Sequence, residues 1–137
     1  KPDIKPASGL KPTSFDKPST QNKRQVLLNN RVKYIIARKG DNFQSLSKEL
    51  NMGAWQLYHY NELNKNATLK EGQFIYLQPK RRRSFDTKEH TVKSGETLYD
   101  ISQKYAVKTR HLLRLNPEIG PDGDIEAGQH IRLQKKK

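Results

Sequence analysis

KGDNFQSLSKEL (residues 39–50) and SGETLYDISQKY (residues 94–105) say one thing twice, fifty-five residues apart. Gly40 matches Gly95, Ser47 matches Ser102, Leu57 matches Leu112 and Asn61 matches Asn116. After a one-residue insertion, EGQFIYL (71–77) aligns with AGQHIRL (127–133). Self-similarity at a fixed spacing is the signature of repeated structural units. The 137 residues therefore read as two copies of one module of about 47 residues. Two copies point to a repeated binding event rather than to one active site.

The elements follow from the repeat. In repeat one, the β-branched and aromatic run 32–37 predicts a strand. Arg38, Lys39 and Gly40 turn the chain. Phe43, Leu46, Ser47 and Leu50 fall at i, i+3, i+4 and i+7, a helix with one inward face. Asn42 is its N-cap, because its side-chain oxygen can accept from the first free N–H groups. Asn51, Met52 and Gly53 break that helix. Residues 54–60 form a second helix ended by Asn61, and a loop leads to a strand at 74–77. Repeat two parses alike, with a strand at 89–92 and a turn at 93–95. Thr97 caps a helix that turns Leu98, Ile101, Ser102 and Tyr105 inward. Thr97 and Asp100 have capping-box spacing, with Asp where Glu is more usual. A second helix at 109–115 stops at Asn116 and Pro117, and a strand closes the unit at 131–133. The order strand, helix, helix, strand predicts an α+β fold. In each module two antiparallel strands make a two-stranded sheet, with both helices on one face.

Composition narrows what the chain can be. Modules this small bury little and are marginal alone. With no cysteine, disulfides and thiolate zinc sites are excluded, so stability must come from packing, capping and turn chemistry. No apolar run approaches the roughly 18 residues that span a bilayer. A chain beginning KPDIKPASGL reads as an internal piece of something longer, or as a processed product, with any targeting segment removed.

The net charge is +13. Residues 1–31 carry +5 and four prolines, and read as a Lys/Pro-rich linker. Val26, Leu27 and Leu28 interrupt it, either as a short strand docked on repeat one or as a locally sticky linker. Module 1 (32–79) carries +2, a basic linker (80–88) +4, module 2 (89–134) −1 and a basic tail (135–137) +3. The linker KRRRSFDTK reads as flexible chain spanning about 15–18 Å, which leaves the modules free to be independent or packed. The excess charge thus sits outside the modules, whereas a nucleic-acid-binding fold usually carries its basic stripe on the folded surface.

These residues resemble a tandem of LysM (lysin motif) domains. Repeat two supplies HTVKSGETL, ISQKY, LLRLNP and GQHIRL; repeat one supplies KGDNF, LSKEL, LYHYN and GQFIYL. The resemblance covers about 95 of the 137 residues. Glu96 stands for the family's usual Asp, Asn42 for Thr and Phe43 for Leu. The resemblance implies binding of glycans that contain N-acetylglucosamine, peptidoglycan or chitin-like, at a bacterial envelope, in the periplasm or outside the cell. The lead-in followed by two modules looks like the C-terminal, cell-wall-binding part of a peptidoglycan hydrolase, resembling Bacteroidetes-type glucosaminidases or muramidases. No cofactor is implied.

An N-acetylated glycan offers hydroxyls, an acetamide and apolar C–H faces. Its site needs a few convergent polar groups on apolar walls. In the LysM fold, the loop from first strand to first helix lies beside the loop after the second helix, and the pair is expected to form a neutral groove in each module. The candidate residues are Gly40, Asp41, Asn42, Phe43, Leu63 and Asn64 in module 1. In module 2 they are Gly95, Glu96, Thr97, Leu98, Tyr99, Pro117, Glu118 and Ile119. Each has a plainer role to set beside this one. The glycines supply turn geometry. Asp41 and Glu96 are turn residues or hydroxyl acceptors. Leu98 and Phe43 are mainly core, and Tyr99 and Ile119 are candidate walls. Asn61 and Asn116 fit loop-tying by side-chain bonds to backbone better than sugar contact. Trp55 either packs on the module surface or offers a flat ring to a sugar.

Catalytic patterns are missing. The four histidines are scattered with no HExxH spacing, no metal site is expected, and GxSxG and phosphate-loop motifs do not occur. Paired carboxylates for glycoside cleavage need a cleft holding them about 5–9.5 Å apart, which a 47-residue module hardly provides. The competing reading takes Arg81, Arg82, Arg83 and the lysine tail as contacts for nucleic acid or another anionic polymer. Such contacts weaken steeply with salt.

Overall fold

A computed structural model describes residues 24–135. The lead-in 1–23 and the last two lysines of the tail lie outside the described residues. The first module holds β1 (Leu27–Asn29), β2 (Val32–Ile36), α1 (Phe43–Leu50), α2 (Ala54–Tyr60) and β3 (Phe74–Tyr76). The second holds β4 (Glu89–Thr91), α3 (Leu98–Tyr105), α4 (Thr109–Leu115) and β5 (His130–Arg132).

Local chemistry starts the helices where the sequence placed them. The Asn42 side chain accepts from the Ser45 N–H at 2.8 Å, and the Ser45 hydroxyl accepts from the Asn42 N–H at 3.1 Å. At α3, Thr97 Oγ1 accepts from the Asp100 N–H at 3.1 Å while the Asp100 carboxylate accepts from the Thr97 N–H at 3.0 Å. Each start is a reciprocal box that satisfies two otherwise orphaned donors. From there α1 turns Phe43 and Leu46 inward, and α3 turns Leu98, Ile101 and Ser102 inward.

Each module has its own core. Ile35, Leu46, Leu57 and Ile75 close the first; Ile101, Leu112, Ile131 and Leu133 close the second, all fully buried. Burying a side chain of this size contributes about 1.5–3 kcal/mol. One asparagine locks each module. Asn61 Nδ2 donates to the carbonyls of Leu57 (2.6 Å) and Tyr76 (3.0 Å), and its Oδ1 accepts from the Tyr76 N–H at 2.7 Å. Asn116 repeats this with Leu112 (2.8 Å) and Arg132 (2.9 and 2.7 Å). The second helix is thereby fastened to the closing strand, as the loop-tying reading expected.

Three features depart from the sequence reading or go beyond it. First, β1 pairs antiparallel with β2 in the register Leu27↔Tyr34, Leu28↔Lys33 and Asn29↔Val32. The first sheet therefore has three strands in the order β1-β2-β3, where two were expected; the second has two. Of the readings left open for residues 26–28, the strand is the one observed. Asn30 and Arg31, with φ of 52° and 63°, make the two-residue hairpin turn whose backbone twist suits paired strands.

Second, the basic stretch after β3 is ordered rather than flexible. The Arg81 N–H donates to Ala106 O at 2.8 Å, and the Lys108 N–H donates to Arg81 O at 2.9 Å. The Ser84 N–H reaches Leu133 O at 2.8 Å. The guanidinium groups of Arg31 and Arg83 lie 4.1 and 4.7 Å from the centre of the Phe85 ring. The linker was read as flexible chain, but the Phe85 ring and the Arg31 carbonyl, which accepts from Arg81 Nη2 at 2.6 Å, give its basic side chains fixed places.

Third, the modules pack together. Val32 and Tyr76 of the first sheet share an apolar cluster with Ala106. The Lys80 ammonium has no exposed surface. It lies 2.6 Å from Glu62 Oε1, 2.6 Å from Ser102 Oγ and 2.7 Å from Gln103 Oε1. Glu62 in turn accepts from the Thr109 hydroxyl at 2.8 Å and the Thr109 N–H at 3.2 Å. Asn30 Nδ2 donates to Arg83 O at 2.8 Å, Tyr76 donates its hydroxyl to Gln103 O, and Tyr99 donates its hydroxyl to Asn61 O at 2.6 Å. Burial pulls the Lys80 ammonium below its usual value, with Glu62 offsetting part of the fall. Burial alone would raise the Glu62 carboxyl, but Lys80 and Thr109 hold it below its usual value.

Candidate functional site

The strand-to-helix turns come first, because a glycine at left-handed φ sets each of them. Gly40 (φ +89°) and Gly95 (φ +83°) have open space where a side chain would begin. The acid that follows is clamped in both modules. Asp41 Oδ2 accepts from the Arg38 N–H at 2.6 Å, and Arg24 reaches its other oxygen at 2.7 Å. Glu96 Oε1 accepts from the Lys93 N–H at 2.8 Å and lies 2.7 Å from His90 Nε2. His90 Nδ1 meets the Tyr105 hydroxyl at 2.8 Å. Burial would raise the Glu96 carboxyl, but His90 and the Lys93 amide hold it below its usual value.

Module 2 opens a groove of about 500 Å³ beside this turn. Glu96, Thr97, Leu98 and Tyr99 form one side, and the loop from Pro121 to Ile125 forms the other. Leu98 is the floor, and a Cβ added at Gly123 (φ +74°) would sit 3.4 Å from its Cδ2. Thr109 and Leu113 complete the lining. Glu96, Asp122 and Asp124 give it three carboxylates and no cation. The groove is therefore acidic, where a neutral one was expected. Carboxylates accept hydrogen bonds only, so the groove suits a ligand rich in hydroxyl and amide donors and repels a polyanion.

Of the expected module 2 residues, Glu96, Thr97, Leu98 and Tyr99 line this groove. Pro117, Glu118 and Ile119 are not brought to it. Asn116 pins the chain to β5, and the Ile119 N–H turns back onto Asn116 O at 2.9 Å, so Ile119 is buried in the core. Glu118 pairs with Arg132 at 2.9 Å. The second wall comes a few residues later, at 121–125.

In module 1, Phe43 is buried with its ring edge-on to Tyr58, 5.7 Å between centroids. Module 2 has the smaller Leu98 and Leu113 at these two positions. Asn42 is occupied as a cap, and Asn64 Oδ1 accepts from the Asn66 N–H at 2.9 Å. Leu63 packs on the module 1 core. Trp55 is 60% exposed, so its ring faces solvent. Among the described residues, no group of three or more His, Asp or Glu is arranged to hold a metal ion.

The LysM domain model matches residues 35–78 and 90–134. The chain belongs to the LysM family. It is 32% identical over 100 residues to an endolysin of Bacillus phage B103, covering 72% of this chain and 37% of that protein. It is 26% identical over 139 residues to the "Probable N-acetylmuramoyl-L-alanine amidase AmiB" of Haemophilus influenzae, covering 74% and 32%. The chain thus spans about a third of the length of these relatives. A solved structure, the spore cortex-lytic enzyme SleL of Bacillus cereus, aligns over 77% of this LysM chain and 23% of its own, with 24% identity and a TM-score of 0.32.

Proposed function

We propose that this LysM tandem is a non-catalytic glycan-binding unit that anchors a longer protein to peptidoglycan. The observation that carries the reading is the open, apolar-floored, carboxylate-rimmed groove of module 2. Its floor of Leu98 and its Tyr99 and Leu113 walls suit the C–H faces of a sugar, and its acids suit hydroxyl and acetamide donors. The relatives' names, endolysin and an amidase of N-acetylmuramoyl-L-alanine, favour peptidoglycan over chitin as the polymer. The parent protein is then a cell-wall hydrolase working in the envelope or outside the cell, with its chemistry outside residues 24–135.

Module 2 is the tighter of the two sites. In module 1, the equivalent Asp41, Asn42 and Phe43, beside Leu63 and Asn64, form a site narrowed by the Phe43–Tyr58 pair. Its acid is also already neutralised by Arg24. The acidic groove argues against nucleic acid as the ligand there. Titration with N-acetylglucosamine oligomers, followed by amide NMR shifts, tests the reading. Shifts are expected at residues 95–99 and 121–125, with little dependence on salt. Shifts confined to residues 80–88, fading steeply with salt, would replace it with the anionic-polymer reading.

A further inference from the structure

We propose that the seam between the modules is a second sugar-binding groove, continuous with that of module 2, so that one glycan chain is read by both modules at once. This rests on the glycan-binding reading above. The seam encloses about 610 Å³, more than the module 2 groove itself. Leu63 and Phe74 of module 1 and Tyr99 of module 2 are its apolar walls. Lys70 and Glu71 from one module and Asp100 and Lys104 from the other rim it with balanced charge. That balance gives no preference for a polyanion and leaves hydrogen-bonding edges around apolar faces.

Tyr99 lines both grooves, so the proposed track passes over its ring. The position of Tyr99 is fixed from module 1 and the linker. Its hydroxyl is held by Asn61 O at 2.6 Å, and the Lys80 ammonium lies 5.2 Å from its ring centre. Phe74 is held too, its ring 4.5 Å from that of Tyr34, with its carbonyl accepting from Gln103 Nε2 at 3.0 Å. Both aromatic walls are therefore set before any ligand arrives, which lowers the ordering cost of binding. Each groove falls within the volume range of about 300–1,000 Å³ typical of small-ligand sites, and the two together exceed it. A ligand that fills both is longer than one that fills either, and an unbranched oligosaccharide has that shape.

The test is calorimetric titration of the whole chain with N-acetylglucosamine oligomers from the trimer to the octamer. The octamer is expected to bind about tenfold tighter than the trimer, at one oligomer per protein. That factor corresponds to about 1.4 kcal/mol. Glu71→Trp fills the seam from an exposed turn and lies outside the module 2 groove. It is expected to remove the gain with length, bringing octamer affinity down to that of the trimer. In the native protein, the octamer but not the trimer is expected to shift the amides of Lys70, Gln73 and Gln103. A length gain that survives Glu71→Trp, unmoved seam amides, or two proteins per octamer would overturn the shared groove and leave the module 2 site standing. Absence of binding at every length would remove both.

Discussion

Replacing either partner of the Lys80–Glu62 pair by Met should destabilise the tandem, and the two replacements should differ. Lys80 has no exposed side-chain surface, whereas the Glu62 side chain retains 28%. Glu62→Met leaves a wholly buried ammonium with only the neutral oxygens of Ser102 and Gln103. Stranding a buried charge in this way costs about 3–5 kcal/mol. Lys80→Met keeps an aliphatic stem in the same channel and leaves Glu62 with two hydrogen bonds from Thr109 and a path to water. Its cost should fall to about 1–3 kcal/mol, that of a polar group left partly unsatisfied. The double replacement should cost less than Glu62→Met alone, because no charge is then left inside. Urea denaturation at neutral pH, read by circular dichroism, gives all three values. The native chain is expected to unfold in a single cooperative transition, and Glu62→Met to split it as the modules lose their fastening and unfold separately. If both single replacements cost under about 1 kcal/mol and behave alike, the pair is an ordinary surface ion pair. The docked arrangement then fails, and with it the seam groove.

Three further outcomes follow from the same geometry. Asn116→Ala removes three hydrogen bonds and leaves the Arg132 N–H without its partner; a loss of about 1–3 kcal/mol in urea melts is expected, with amide exchange quickened through residues 117–125. Gly123→Ala should cost about 1–2 kcal/mol for a side chain at left-handed φ and weaken trimer binding by crowding Leu98, whereas Gly120→Ala, with open space around it, should change neither; equal behaviour of the two would show that the loop does not define the groove. Acid should destabilise the chain in two windows. His111, held below its usual 6.5 by burial and then by the charges of Arg114, Arg110, Lys108 and Arg82, takes up a proton more readily unfolded, so stability falls as pH drops below 6.5. Glu62, held below 4.5 by Lys80, contributes stability present above 4.5 and lost as pH falls through its folded value. Thermal melts across pH 8 to 3 check this, and His111→Asn should flatten the upper window only.

The four helices and the caps Asn42 and Thr97 were legible in the sequence because each rests on contacts a few residues apart; the strands, which pair about forty residues away, were legible from their β-branched and aromatic content. Asn42 and Thr97 bond three residues ahead, and the apolar spacing of Phe43, Leu46 and Leu50 is set by the helix pitch itself. Duplication then confirmed each assignment against its copy. The start of the groove, from Glu96 to Tyr99, was legible for the same reason. Its second wall was not, because Asn116 reaches sixteen residues on to Arg132 and draws Ile119 into the core. Nor could charge counting show that Lys80 would lie buried against Glu62 and Ser102, or that Asn30 would reach Ala106, seventy-six residues away. Those contacts depend on two separate cores presenting complementary faces. The repeated unit is thus written in local chemistry, whereas the docking of its copies, and any groove they share, exist only where distant side chains meet.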